Sequence, residues 1–235
     1  MMVSATRAAR ANWSSATAPW SSWTTSAAAS HGADPVVTDP AQSVVDLYQR
    51  RAAQFDADRT KTLFEKRWLD AFLALMPGGA EVLDMACGSG EPIAAYLIDK
   101  AVKITGVDAA SAMIDLCRAR FPDHRWIVAD MRDWLSDGMF DGVAVWHGLI
   151  HLTADDQRRT IPKLAGFLRP GAPLLFTAAP ESGDTLGVWR GEPLYHGGLD
   201  PAETDALLTA SGLRILQRRL SDPDCGGASV WLATG

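Results

Sequence analysis

From about residue 40, apolar side chains recur at helical spacing: Val44, Leu47, Tyr48, Ala52 and Phe55, with Arg51 among them, place Tyr48 and Phe55 on one stripe and predict an amphipathic helix. A second helical pattern over 62–76, carried by Leu63, Phe64, Trp68, Leu69, Phe72, Leu73 and Met76, stops at the breaker cluster Pro77-Gly78-Gly79. Beyond it the period changes. Short apolar runs over 81–86, 102–107, 126–129 and 140–146 read as strands, and helical patterns over 92–99 and 111–120 alternate with the first of them. Such alternation predicts βαβ units around a parallel sheet, the mark of an α/β fold. Local signals support the division: Pro92 suits a first helical position, Ser111 suits a cap, and Thr153 with Asp156 makes a capping-box-like start to a helix that Pro162 should break or kink. After Arg169-Pro170-Gly171 a buried strand is expected over 173–177, followed by about twenty loop-like residues rich in Gly, Pro, Trp, Tyr and His, too many for a mere connector. Asp200-Pro201-Ala202-Glu203 starts a helix that Gly212 can end, and two strand-like runs over 213–220 and 228–232 flank the turn residues 222–227.

Composition narrows the picture. At 235 residues, 47% hydrophobic and 21% charged, the chain suits one folded domain, here expected over 40–235. The net charge of −6 and the lack of a basic cluster argue against a nucleic-acid partner. No apolar run approaches the roughly 20 residues that span a bilayer. Cys87, Cys117 and Cys225 show neither CxxC spacing nor an even count, which fits a reducing cytoplasm and suggests no zinc site. Residues 1–39 differ in kind. They hold Trp13, Trp20 and Trp23, with Arg7 and Arg10 but no acid before Asp34. That composition resembles a transit peptide, but without a convincing amphipathic repeat a disordered leader or translated upstream sequence is the reading preferred.

The chemistry concentrates in Val82-Leu83-Asp84-Met85-Ala86-Cys87-Gly88-Ser89-Gly90-Glu91-Pro92, an apolar strand that ends in an acid and turns through two glycines into a helix. Glycine lets the backbone pass close to a ligand, and a helix start presents free N–H donors. About twenty residues on, at the end of the next strand, Asp108 stands where a nucleoside's ribose hydroxyls would need an acceptor; its competing reading is a helix-capping Asp. Asp130 and Met131 follow the third strand, where a solvated turn is the alternative.

The spacing D-x-A-C-G-x-G, with Asp108 and Asp130 following at the ends of the next two strands, resembles the motifs of class I S-adenosylmethionine-dependent methyltransferases. The resemblance covers the chain from about Val44 to its end. It implies a Rossmann-like, doubly wound seven-stranded sheet in the order 3-2-1-4-5-7-6, strand 7 antiparallel, with N-terminal helices capping the cofactor site. It implies S-adenosylmethionine as cofactor and S-adenosylhomocysteine as product, with no metal. The glycine turn would contribute Asp84, Ala86, Cys87, Gly88 and Gly90. The second and third strand ends would contribute Asp108, Ala109, Asp130 and Met131, with the Asp130 carboxylate taking the adenine amino group. Met113 on the following helix would flank the adenine or simply pack in the core. Trp146 would meet the cofactor's methionine end, and Tyr48 would lay an aromatic ring over the cofactor or pack along its stripe.

Methyl transfer can be catalysed largely by positioning, with a base needed only for an acceptor that arrives protonated. His147, after the fourth strand, is the candidate base, although a histidine bonded within its own loop would look the same. His151 in the same loop, with Trp189, Tyr195 and His196 in the long segment after the fifth strand, are candidate acceptor contacts. The expected partner is a small-molecule acceptor bound by a soluble monomer or homodimer. Two alternatives stay open: a catalytically idle cofactor-binding regulatory subunit, and a NAD(P)-dependent oxidoreductase, disfavoured by the missing third glycine and by Asp84 where dinucleotide binders need a small residue.

Overall fold

The computed structural model describes residues 39–235; the expectations for the leader, with Arg7, Arg10, Trp13, Trp20 and Trp23, lie outside them. Two helices open the described chain, α1 (Pro40–Asp58) and α2 (Lys66–Leu73), the first capped by Asp39, whose side chain accepts from the backbone N–H groups of Ala41 and Gln42. The βα alternation then runs β1 (Glu81–Met85), α3 (Ile93–Asp99), β2 (Lys103–Asp108), α4 (Ser111–Arg120), β3 (Arg125–Val128), β4 (Gly142–Val145), α5 (Ala154–Gly166) and β5 (Pro173–Ala178). A hairpin of β6 (Gly183–Trp189) and β7 (Glu192–Gly198) follows, then α6 (Pro201–Ala210), β8 (Arg214–Arg219) and β9 (Ser229–Thr234).

The main sheet has the order β3-β2-β1-β4-β5-β9-β8. Its first five strands are parallel, and β9 lies antiparallel to both β5 and β8. With β9 and β8 as the seventh and sixth strands of the main sheet, this is the order 3-2-1-4-5-7-6. Strand residues alternate between two cores, as the two-residue period of a strand requires. Leu83, Met85, Val143, Val145, Leu174 and Phe176 pack on one face, whereas Val82, Ala144, Trp146, Leu175 and Leu232 pack on the other. Both faces are therefore buried, which is why these strands read as continuous apolar runs. The chain leaves β1 for β2 on one side and returns to β4 on the other, so a crevice opens at the carboxyl ends of β1 and β4.

Several local expectations need correction. The segment after β5 is not a loop but the β6–β7 hairpin, in register from Gly183↔Gly198 to Trp189↔Glu192. Its two-residue turn, Arg190-Gly191, has both φ positive (51° and 81°), the conformation that matches strand twist. The α5 helix continues through Pro162 to Gly166, because buried Gln157, Thr160, Ile161 and Leu164 anchor the face on either side of it. Ser111 begins α4 rather than capping it, and its hydroxyl bonds to Gln49 instead. Pro92 sits at the N-cap of α3, one position earlier than expected. The second helix is shorter than its pattern: Leu63 and Phe64 pack against the core from outside it.

Candidate functional site

At the crevice the backbone is held in uncommon conformations. Ala86 after β1 and His147 after β4 both have positive φ (60° and 57°), as does Gly88 (56°). A Cβ on Gly148 would stand 2.5 Å from the Ala86 Cβ and 3.1 Å from the Met131 methyl carbon, so glycine lets these two strand ends approach. Between the strand ends and α1 lies a cavity with roughly 1310 Å³ of space free of protein atoms, its mouth included.

Its floor is built from the glycine turn. The Asp108 carboxylate accepts the Gly88 N–H at Oδ2 and the Ala110 N–H at Oδ1, both at 2.9 Å, tying the turn to the start of α4. Burial raises the Asp108 carboxyl above its usual range, although both N–H bonds act the other way. Asp84 is 2% exposed, and burial, then the neighbouring Asp108 charge, push its carboxyl up to about 7. Ala109, Met113, Ala86 and Cys87 line the same wall. Burial, then contact with Cys117, raises the Cys87 thiol well above its normal value.

At the third strand's end, Asp130 and Met131 also border the cavity. The Asp130 carboxylate is gripped by Arg132, with Nε at 3.0 Å and Nη2 at 2.7 Å from Oδ2, and Arg132 in turn reaches Asp39 at the start of α1. The Lys163 ammonium bonds to the Met131 and Arg132 carbonyls and pins this loop to α5.

Aromatic and imidazole rings form the opposite side. Tyr48 lies edge-on to Phe55 (5.2 Å between centroids) and tilted against Trp189 (6.3 Å). His151 Nδ1 faces the Tyr195 carbonyl at 3.1 Å, and its ring stacks on His196 at 5.2 Å. Burial lowers His151 to about 4, and lowers His196 to about 3 with help from the nearby His151. His147 donates its backbone N–H to Thr177 Oγ1 at 2.7 Å. Its imidazole is held well below the usual value by burial first, then by the charges of Arg59, His151 and His196.

Tyr48, Asp84, Ala86, Cys87, Gly88, Asp108, Ala109, Met113, Asp130, Met131, Trp146, His147, His151 and Trp189 thus border one cavity. Gly90, Tyr195 and His196 do not. Gly90 instead faces Phe121 and Cys117 beneath the turn, and a side chain there would press within 3.1 Å of the Phe121 ring. Tyr195 and His196 stand behind His151, because the hairpin register spends the Tyr195 hydroxyl on Asp184. Arg59 was missed. It follows α1, lines the cavity, and forms a buried ion pair at 2.6 Å with Glu65. An Arg and a Glu six residues apart carry no sequence signal of burial; their proximity depends on the turn between α1 and α2.

A family model described as a methyltransferase domain matches residues 82–171. An O-methyltransferase of Pyrenophora dematioidea is 26% identical over 180 residues, 69% of this chain and 66% of that protein. A trans-aconitate 2-methyltransferase of Azoarcus is 29% identical over 97 residues, 40% of this chain and 37% of that protein. The chain spans about half the length of curated relatives it matches, 54%, 66% and 45% in three of them. Among solved structures, the amino pentose methyltransferase CalS10 of Micromonospora echinaspora superposes with a TM-score of 0.61 at 20% identity, covering 79% of this chain and 95% of that one. A Burkholderia thailandensis 1,6-didemethyltoxoflavin-N1-methyltransferase superposes with a TM-score of 0.62 at 19% identity, covering 90% and 94%. Over residues 82–171 the chain is similar to a methyltransferase domain, and over most of its described length it has the fold of the solved class I S-adenosylmethionine-dependent methyltransferases.

Proposed function

We propose that this chain is an S-adenosylmethionine-dependent methyltransferase acting on a small-molecule acceptor. One observation carries the reading: the acids at the ends of β1, β2 and β3 (Asp84, Asp108 and Asp130), the glycine turn and the loop after β4 all border a single cavity. When bound there, the cofactor supplies an electrophilic methyl group on a sulfonium and leaves as S-adenosylhomocysteine.

The residues present fit that group. Gly88 lines the cavity in a conformation that brings backbone rather than side chain to the ligand. Asp108 spends two of its roughly four lone-pair sites on Gly88 and Ala110, which leaves acceptor capacity for a diol. Met131 stands beside Asp130 as a flank for a purine, while both Asp130 oxygens already accept from the Arg132 backbone N–H, Nε and Nη2. Tyr48 and Trp189 present ring faces suited to an apolar or cationic group.

His147 stands beside Trp146 at the end of β4, where an acceptor would meet the methyl group. Its depressed basicity keeps the imidazole neutral near pH 7, so it can hold an acceptor O–H or N–H by hydrogen bonding. A base as weak as this contributes orientation more than proton removal, and positioning dominates the proposed catalysis. Among the described residues no helix is long and apolar enough to cross a membrane, and no cluster of three or more metal-binding side chains occurs.

Calorimetric titration with S-adenosylmethionine, S-adenosylhomocysteine and NADH, repeated on Asp108→Ala and Asp108→Asn, tests the reading. Binding of the first two, weakened in both variants, supports it and justifies an acceptor screen. Binding of NADH alone sinks it, and cofactor binding without turnover across a broad acceptor panel favours a regulatory subunit.

A further inference from the structure

Ser89 lies between Gly88 and Gly90, whose φ values are both positive (56° and 79°). Neither glycine has a Cβ to restrict it, so the residue between them needs an outside hold to keep one conformation. That hold is a single ion pair which borders no part of the cavity. Ser89 is fully buried, and its hydroxyl donates to Asp56 Oδ1 at 2.7 Å. Its carbonyl accepts from Arg120 Nη1 at 3.0 Å. Arg120 also gives Nη1 to Asp56 Oδ1 at 2.7 Å and Nη2 to Asp56 Oδ2. The hydroxyl and the carbonyl of Ser89 are thus fixed by the two halves of one pair, Asp56 from α1 and Arg120 from the end of α4.

The pair is built to last. Only 17% of the Asp56 side chain and 29% of the Arg120 side chain are exposed, so salt screens their attraction less than that of a surface pair. The Arg120 guanidinium holds the Asp56 carboxyl well below the usual carboxylate range, so it stays ionised and can only accept from Ser89. On the cavity side the next residue is held as well, since Gly88 gives its N–H to Asp108. A turn fixed before its ligand arrives loses no affinity to ordering on binding. We propose that Asp56 and Arg120 are positioning residues for cofactor binding, which fix Ser89 from behind so that the Gly88 backbone faces the cavity in its binding conformation. The inference rests on the methyltransferase reading for the identity of the ligand, not for the hold on the turn.

S-adenosylhomocysteine is titrated by calorimetry into the wild type, Ser89→Ala, Asp56→Ala and the double variant Asp56→Ala/Ser89→Ala, each verified as folded. Amide exchange at Gly88 and Gly90, whose N–H groups bond to Asp108 and to the Cys87 carbonyl, is followed in the ligand-free proteins by nuclear magnetic resonance. Ser89→Ala removes one oxygen atom and leaves the Asp56–Arg120 pair in place, so it carries the test even where Asp56→Ala does not fold. Each single variant should weaken binding by about 10-fold. The double variant should bind no more weakly than Asp56→Ala alone, because both changes break the same contact. Exchange at Gly88 and Gly90 should quicken while the amides of β4 and β5 keep their wild-type rates, a pattern that a general loss of stability would not produce. The inference is overturned by wild-type affinity in both single variants, by effects that multiply in the double variant, or by unaltered exchange at the turn. If the wild type binds no S-adenosylhomocysteine, the methyltransferase reading and the role in cofactor binding fail together, and faster exchange at the turn in Ser89→Ala would leave only the hold on the turn standing.

Discussion

Tyr48 on α1 and His151 after β4, 103 residues apart in the chain, meet at the cavity with the tyrosine oxygen 3.2 Å from His151 Nε2. Because His151 Nδ1 faces a carbonyl oxygen, that nitrogen is assigned the proton, and Nε2 accepts from the Tyr48 hydroxyl. Burial holds this imidazole at about 4, which keeps it neutral and keeps the bond intact near pH 7. Replacing Tyr48 by Phe preserves the ring contacts with Phe55 and Trp189 but leaves a buried acceptor unmet. Chemical denaturation should show a loss of about 1–3 kcal/mol for Tyr48→Phe. An unchanged unfolding midpoint would mean the two groups do not bond in solution.

The Asp84 carboxyl supplies a test as pH rises towards neutrality. Its folded-state value of about 7 lies above the ordinary 3.8, so the folded chain binds the extra proton and stability falls as pH rises between those two values. Asp84→Asn removes this cost. The variant should match the wild type near pH 4 and exceed it by on the order of 4 kcal/mol above pH 7, read from urea unfolding at each pH. A difference independent of pH would refute the buried-acid assignment.

Acid should act through the histidines. His151 and His196 have folded values near 4 and 3 against an ordinary 6.5, so the unfolded chain takes up protons first, and stability falls as pH drops from 6.5 towards 4. His196→Phe keeps a ring stacked on His151 and removes one titrating group. Its stability should decline less steeply across that window, by about one proton in the pH slope. Equal slopes would place His196 in contact with solvent.

Gly148 tests how closely the strand ends must approach. An added Cβ would meet the Ala86 Cβ at 2.5 Å, and Ala86 itself has a positive φ that resists movement. Gly148→Ala should cost about 1–3 kcal/mol through overpacking and weaken S-adenosylhomocysteine binding more than the fold, by calorimetry on protein verified as folded. Tight binding by a stable variant would show that the turn adjusts freely.

Much of the architecture was legible because its signals are local. The apolar runs of β1, β4 and β5 follow from burial on both sheet faces, and Asp108 stood out because strand, acid and helix are adjacent in the chain. The hairpin was hidden for an equally physical reason. Its β6 strand is exposed over most of its length, so neither alternation nor an apolar run marks it, and the Arg190-Gly191 turn is a weaker cue than Asn-Gly. The same blindness covered Tyr195 and His196, whose places behind His151 depend on the register of that hairpin.

The sequence by itself determined the βα alternation, the glycine turn and the acids at the strand ends, since each depends on residues within a few positions of one another. Only the tertiary structure decided that Arg59 is buried against Glu65, that the Trp146 indole N–H meets no acceptor among the described residues, and that Tyr48 reaches His151. Those relationships depend on burial and on contacts between distant segments, where the cost of an unmet donor or a desolvated charge is set by how α1, α2 and the loop after β4 pack together.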